Sequence, residues 1–473
     1  MIQPAVRTLA EFAVRFRDVD PPEAVFEDAK RRLLDVVGNS LAAVDTPAAA
    51  AVRAVAGRRR GVADAGAIGS GDRFPAATAA LINGTLAHAL DFDDTHLPSV
   101  LHPSATVIPA ALAMAEARGR TGAETLTAIA LGNELNVRLG SVGFDPQRRV
   151  NLVFERGLHA TSICGALSAA ASAGFLLGLD ADGIADAIGI AASMGAGLLE
   201  ANRTGGSVKR VHCGWAAHAG VTAAEFAEAG LTGPPTVLEG RFGFFQAYCG
   251  EGVSLDTLAS GLGERWEALS VFFKPYPCNH FTHPGIDAAL HLREEGLELE
   301  EIVEIELGVP SSVLRTIGQP RAEKIRPTSG YHAAFSGPFT VASALLGGGG
   351  LGLYLDDFTD ECAHDGDRLD LASRVRCVPD DECDRIFPLR FPARLRVRMV
   401  DGTTWETFVG SSRGGPEHPL SDAELGLKFE LNALRLLPPD QVGELAALVR
   451  SFKELSTPSA LLGAATVRPA GRA

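Results

Sequence analysis

Basic side chains are in deficit: 43 lysines and arginines face 58 aspartates and glutamates over 473 residues, a net charge of −15. A phosphate backbone or an anionic membrane surface needs a basic face, so the balance argues against nucleic acid and membrane as partners. It leaves a small anion open, because a few buried lysines can set a local potential against the global sign. Paired cysteines are lacking as well. The seven (Cys164, Cys213, Cys249, Cys278, Cys362, Cys377, Cys383) are odd in number and scattered, with no CxxC spacing. No disulfide framework is expected, and the reducing cytoplasm is the expected home. No HExxH zinc signature occurs. The most apolar run, ICGALSAAASAGFLLGL (163–179), is rich in small residues, ends at Asp180 and falls short of the roughly 20 apolar residues of a membrane span, so it reads as a buried helix. The opening MIQPAVRTLAEFAVRF is amphipathic and carries Glu11, unlike a signal peptide. What remains is ordinary for a soluble protein: 46% hydrophobic and 21% charged residues.

Residues 1 to 267 read as helix after helix. Apolar residues fall at helical spacing over 21–44, 74–92, 102–119, 122–140, 159–178, 182–199 and 214–229, and alanine and glycine dominate them. No strand stands out there. The pattern changes near 265. EEIVEIELGVP (300–310) alternates like a half-buried strand, and ARLRVRMVDGTTWETFVG (393–410) is a hairpin around Asp401-Gly402. Helices over 285–296 and 335–348 lie between them. Helices over 421–437 and 438–452 return to the first pattern. The reading is mainly α: a large all-helical domain (1–267 and 409–462), a smaller α+β domain (268–408) and a frayed tail (463–473).

Four stretches carry the chemistry. DFDDTHLPSVLHPS (91–104) gathers Asp91, Asp93, Asp94, His96 and His102. His88 and Asp91 are three apart and would share a helical face. His102-Pro103-Ser104 opens a helix, whose N-terminal dipole lowers an imidazole pKa and attracts anions. Asp93 and Asp94 suit turn and capping positions, and His96 a surface or packing position. Read instead as a metal centre, Asp93, Asp94, His96 and His102 would make a hydrolase site, although no recognised ligand spacing is present. His159 precedes the tight apolar helix. In NRTGGSVKRVHCGWAAHAG (202–220) a Gly-Gly-Ser turn leads to Lys209, close to a helix start where a cation opposes the dipole; its glycines fit no nucleotide loop. In VFFKPYPCNHFTHPGID (271–287) Lys274 is set among aromatics and prolines, followed by Cys278, Asn279, His280 and His283. Lysines and helix N-termini suit a carboxylate, and aspartate with histidine suits moving a proton beside it.

NGTLAHALDFDDTHLPSVLHPS, KPYPCNHFTHPGIDAAL and SGYHAAFSGPFTVASALL together resemble the MmgE/PrpD family over nearly the whole chain. The resemblance implies the two-domain plan, with the α+β part as a lid, a site in the cleft between domains, a homodimer, and no metal or organic cofactor. It implies catalytic roles for Asp91, His102, His159, Lys209 and Lys274, and substrate contacts for Thr95, Ser104, Asn279 and His280. A histidine of the decarboxylase pattern falls on Asn279; the dehydratase pattern has Asn at Asp93 and Asp-Asn at Ala105-Thr106. The expected activity is a cofactor-independent lyase or isomerase moving a proton next to a carboxylate of a di- or tricarboxylate, foremost a dehydratase (hydro-lyase). An epimerase of iminodisuccinate type, a cis-aconitate-type decarboxylase and a non-catalytic carboxylate-binding protein are the alternatives.

Overall fold

The computed structural model describes residues 3–59 and 61–467. Its chain forms two compact units, Met1–Val271 with Phe429–Ala473, and Phe272–Lys428. The architecture is mainly α.

The first unit is built from α1 (Ala5–Arg15), α2 (Glu23–Ala42), α3 (Pro47–Arg58), α4 (Ala76–His88), α5 (Ser104–Ala117), α6 (Gly122–Val142), α7 (Ala160–Leu177), α8 (Ala181–Ala191) and α9 (His212–Glu228). Their starts are written in the sequence. Thr46 accepts from Ala49 N and is followed by Pro47, Thr121 and Glu124 make a reciprocal capping box, and Asp180 accepts from Gly183 N. Every residue of α7 from Ala160 to Leu176 is buried, so the most apolar run of the chain is a core helix of this unit.

Small residues set how closely the helices approach. A Cβ built at Gly84 on α4 would lie 2.8 Å from Gly214 Cα, and one at Gly214 on α9 would lie 2.2 Å from the Leu81 carbonyl oxygen. The two backbones therefore touch, as only glycine permits. His88 follows Gly84 by one helical turn and His212 precedes Gly214 by two residues, so this crossing carries both imidazoles into one region. The helix read over 182–199 ends earlier, at Ala191. Beyond it the chain unwinds so that Gly197 can lie against the start of α7, where its carbonyl accepts from His159 N at 3.0 Å.

The second unit holds a four-stranded sheet: β1 (Ile302–Val309), β2 (Val375–Pro379), β3 (Ala393–Met399) and β4 (Thr404–Val409), in the order β2-β1-β3-β4. β2 runs parallel to β1; the other pairs are antiparallel, with Ile305 opposite both Val375 and Val397. Ala393, Leu395, Val397 and Met399 face inward, alternating with Arg394, Arg396 and Arg398. The inward side chains join a core with α10 (His283–Glu294), α11 (Gly337–Leu346) and α12 (Gly366–Arg374). The hairpin turn carries Gly402 at φ 87°, as read. β2 was not legible, being short and only partly buried.

The chain leaves the second unit within α13 (Asp422–Ala433) and closes the first with α14 (Pro439–Arg450). The return read at 409 thus comes about twenty residues later. Residues 411–418 stay with the second unit because Gly414 accepts from Phe273 N at 2.9 Å and Arg413 N donates to Asp287 at 2.9 Å. Of the expected tail, 463 and 464 end the last helix and 468–473 lie outside the described residues.

Candidate active site

α4 stops at His88, and three residues later Asp91 takes a left-handed φ of 54°. Aspartate tolerates this conformation better than most residues. The turn takes Asp91 off the helix, so the expected shared face of His88 and Asp91 does not form. Asp93 comes back beneath the helix end instead. Its Oδ2 lies 2.7 Å from His88 Nδ1 and 3.7 Å from His102 Nδ1, and the carboxyl is fully buried. Asp93 is therefore part of a buried cluster and not the turn residue the sequence suggested.

Asp94 does the capping. Its Oδ1 accepts from Ser104 N at the start of α5, and its Oδ2 accepts from the buried Arg32 at 2.9 Å. Arg32 also reaches Asp28 and the Val271 carbonyl. Burial pushes Asp94 up to about 6 against the pull of Arg32. His96 pairs through Nδ1 with Ser99 at 2.6 Å, and burial lowers it to about 3. Asp93, Asp94, His96 and His102 thus turn to different partners, and the metal-hydrolase ligand set does not converge.

His102 sits two residues before α5. Its Nδ1 is 2.7 Å from the Asp94 carbonyl oxygen and 3.3 Å from Thr95 Oγ1. A carbonyl only accepts, so Nδ1 carries the hydrogen and Nε2 the lone pair. Its backbone N donates to Thr161 Oγ1 on α7, which ties the loop to the helix that His159 begins.

His159 is at the N-cap position of α7 but makes no side-chain cap. Its Nδ1 is 3.0 Å from Nδ1 of His212. Two facing nitrogens can share only one hydrogen, so one ring donates and the other accepts. Burial, reinforced by His88, Lys209, His212 and His102, holds His159 well below the ordinary imidazole value; burial with His88 and Lys209 lowers His212 to about 4. A Cβ at Gly197 would come within 3.0 Å of His159 Cβ and 3.3 Å of His212 Nδ1, so glycine there leaves room for the pair.

Four imidazoles consequently form a row. Ring centroids are 5.1 Å apart for His102 and His88, 5.5 Å for His88 and His159, and 5.1 Å for His159 and His212. Beside the row, Lys209 Nζ lies 3.4 Å from Asp91 Oδ1, both side chains about one-eighth exposed. Of the residues the sequence singled out, Asp91, Thr95, His102, His159 and Lys209 belong to this assembly. Ser104 is buried, with its hydroxyl accepting from Asn133 at 3.1 Å. His88, Asp93 and His212 were missed as site residues. His212 had a signal, a histidine three residues after the lysine; Asp93 looked like one of two turn or capping residues.

The remaining residues lie in the second unit. Lys274 is buried at 1% exposure. Tyr276 donates to Asp287 at 2.6 Å, and with the Phe273–Gly414 bond this fixes the backbone on both sides of the lysine. Asn279 Oδ1 accepts from Phe281 N, capping the short helix His280–Thr282. His280 Nε2 meets Ser412 Oγ at 3.2 Å, between Phe272 and Phe391. Among the described residues, one group has metal-ligand spacing: His88, Asp93 and Cys213, with donor atoms within 4.8 Å of one another. Burial pushes the Cys213 thiol well above its ordinary value, and His88 Nδ1 is engaged with Asp93, so the set in this state is a hydrogen-bonded pair beside a protonated thiol.

The sequence matches known proteins along both units. Residues 7–255 match the MmgE/PrpD N-terminal domain and 276–454 the MmgE/PrpD C-terminal domain. The chain is 31% identical to the cis-aconitate decarboxylase of Homo sapiens, over 82% of this chain and 79% of that one. It is 27% identical to the cis-aconitate decarboxylase of Aspergillus terreus, over 84% and 82%, and 26% identical to a cis-aconitate decarboxylase-like protein of Aspergillus oryzae, over 96% and 95%. A match to both domain models along most of the chain, with a relative above 30% identity, means that this protein belongs to the MmgE/PrpD family of enzymes.

Proposed function

We propose that this enzyme is a cofactor-independent lyase acting on a small tri- or dicarboxylate, with decarboxylation of a cis-aconitate-type substrate as its reaction. The observation that carries the reading is the row of buried imidazoles beside the Lys209–Asp91 pair: a cation for a carboxylate next to neutral groups able to give and take a proton. Relatives of 26–31% identity that bear the decarboxylase name support it.

In this reading Lys209 holds one carboxylate of the substrate, and Thr95 adds a hydrogen bond. Lys274 is given a second carboxylate on the resemblance. The carbon–carboxyl bond breaks and CO₂ leaves with no charge. The electron pair stays on the substrate, delocalised toward a remaining carboxylate, and a C–H bond forms with a proton delivered by an imidazolium, assigned to His102. His159, held neutral by burial and by the groups around it, serves this step as a hydrogen-bonding partner and not as the resting proton donor.

A hydro-lyase acting on a 2-methylcitrate-type substrate is the second reading. It is favoured by Asn279, which stands where the decarboxylase pattern has a histidine and here serves as a cap. The same imidazoles would then remove the proton beside a carboxylate while a hydroxyl leaves as water. None of the seven cysteines is in a disulfide, which supports a reducing compartment. Homodimerisation belongs to the proposal too, and light scattering tests it.

Proton NMR in D₂O with cis-aconitate, 2-methylcitrate, citrate, iminodisuccinate and tartrates separates the readings. CO₂ release with deuterium at one new carbon position supports decarboxylation; a new olefinic product from 2-methylcitrate supports the hydro-lyase. His102→Ala and Lys274→Ala are each expected to lower turnover about a hundredfold or more. Near-wild-type turnover in both would overturn the assignment. No turnover on the panel, with binding intact, would favour a carboxylate-binding protein.

A further inference from the structure

The two groups at the centre of the cluster are ones to which the resemblance gives no role. His88 is 2% exposed and lies between His102 and His159, whose rings are themselves 6.5 Å apart. Asp93 is fully buried against it. Burying a carboxyl beside an imidazole carries a desolvation cost that an apolar pair of equal volume avoids, so packing alone does not explain the two. The donor directions are fixed. A carboxylate accepts, so His88 Nδ1 donates to Asp93 Oδ2 at 2.7 Å. The same oxygen lies 3.7 Å from His102 Nδ1, the atom that donates to the Asp94 carbonyl. One carboxylate therefore lies on the Nδ1 side of two neighbouring imidazoles.

We infer that His88 and Asp93 are a positioning pair for His102. The Asp94 carbonyl keeps His102 in the tautomer whose Nε2 carries the lone pair, and the Asp93 charge beside Nδ1 stabilises the imidazolium that forms when Nε2 takes a proton. His88 anchors Asp93 through its Nδ1 hydrogen and holds the carboxylate at that distance. This rests on the proposed lyase reading, in which His102 touches substrate. In the proton step, the N–H bond at Nε2 breaks as the substrate C–H bond forms, its electron pair returns to the ring, and Asp93 remains a carboxylate throughout. The other charged and titratable groups around the pair are His159, His212, Lys209, Asp91 and Asp94 with its partner Arg32, and Cys213 lies within ligand distance of it.

Asp93→Asn and His88→Gln test the pair in the full-length enzyme. Asp93→Asn is expected to lower kcat about a hundredfold or more while KM changes by less than about threefold. It should also move the pH at which kcat/KM is half-maximal downward by about one unit, because the charge favouring the imidazolium is gone. A merely structural role would reduce the folded fraction and leave that midpoint in place; an unmoved midpoint, or a loss confined to KM, overturns the inference. If wild type turns over no carboxylate, the lyase reading fails by itself, and ¹⁵N NMR of the histidines decides the pair separately. A His102 ring whose ¹⁵N titration midpoint falls by about one unit in Asp93→Asn supports it. An unmoved His102 midpoint overturns it, and the same titration in His88→Gln, expected to shift it in the same direction by loosening Asp93, serves if Asp93→Asn does not fold.

Discussion

His159 and His212 face each other nitrogen to nitrogen at 3.0 Å, an arrangement that survives only while one of the two Nδ1 atoms carries no hydrogen. That makes the cluster an acid-sensitive part of the fold. His212 titrates near 4 in the folded chain against 6.5 when unperturbed, so as pH falls below about 6.5 the unfolded chain takes up a proton that the folded chain refuses. The stability present above that pH is lost on the way down to about 4. The shift from 6.5 to about 4 amounts to about 3 kcal/mol for His212 alone. His96 and His159 act in the same direction. Asp94 acts oppositely: raised from 3.8 to about 6, it contributes stability in acid that is lost as pH rises through that window. Glu134, Glu225 and Asp287, raised by burial, act with Asp94, so the imidazole contribution is isolated by comparing wild type with a histidine variant. Urea midpoints measured between pH 4 and 7 should fall further toward pH 4 in wild type than in His212→Asn; parallel curves would refute the assignment.

Contacts between elements decide whether these side chains meet. At the α4–α9 crossing, Gly214→Ala would drive a Cβ to 2.2 Å from a helix carbonyl, where backbone has to move. We expect a loss of about 1–3 kcal/mol from overpacking, and a fall in turnover beyond the loss of folded protein, because His212 moves with the helix. Thermal melts and kcat on the same preparation check both. The sheet gives a contrasting case. Glu306 bridges Arg376 and Arg396, Arg396 also meets Glu406, and Arg398 meets Glu304, all on one face and half-buried to exposed. These cross-strand pairs follow the register that sets Arg396 opposite both Glu306 and Glu406. Exposed pairs contribute little, so Arg396→Ala is expected to cost less than about 1 kcal/mol and the difference to vanish in about 1 M salt. Denaturant titrations at two ionic strengths test this.

At the scale of the whole molecule, the first unit draws its core from both ends of the chain. Phe429, Ala433, Leu437, Val442, Leu445, Val449 and Phe452 are buried among residues of the N-terminal helices. Asn432 donates to Asn39 on α2 at 3.0 Å, and Phe429 packs against Gly38. A chain ending at residue 428 should consequently lose cooperative unfolding in the first unit, read by circular dichroism and limited proteolysis; a sharp wild-type-like transition would show that the return is dispensable.

Helical spacing, caps and the strand alternation were legible because they depend on neighbours in the chain: the Thr121–Glu124 box, Asp180 and the Asp401-Gly402 turn could each be read locally. So could the residue types of the site, since aspartate, histidine and lysine accumulate around 91–102 and 209–212 in an otherwise apolar half. Their partnerships could not be read this way. Which aspartate caps α5 and which joins His88 depends on a left-handed residue at 91 and on Arg32, sixty-two residues before Asp94. The meeting of His159 with His212 depends on Gly197 and on the glycine contact between α4 and α9. The sequence by itself determined most of the helices, the central strands, the family and the chemical groups available. Tertiary structure alone decided which groups touch, because burial, tautomer and proton affinity are properties of neighbours brought from distant parts of the chain.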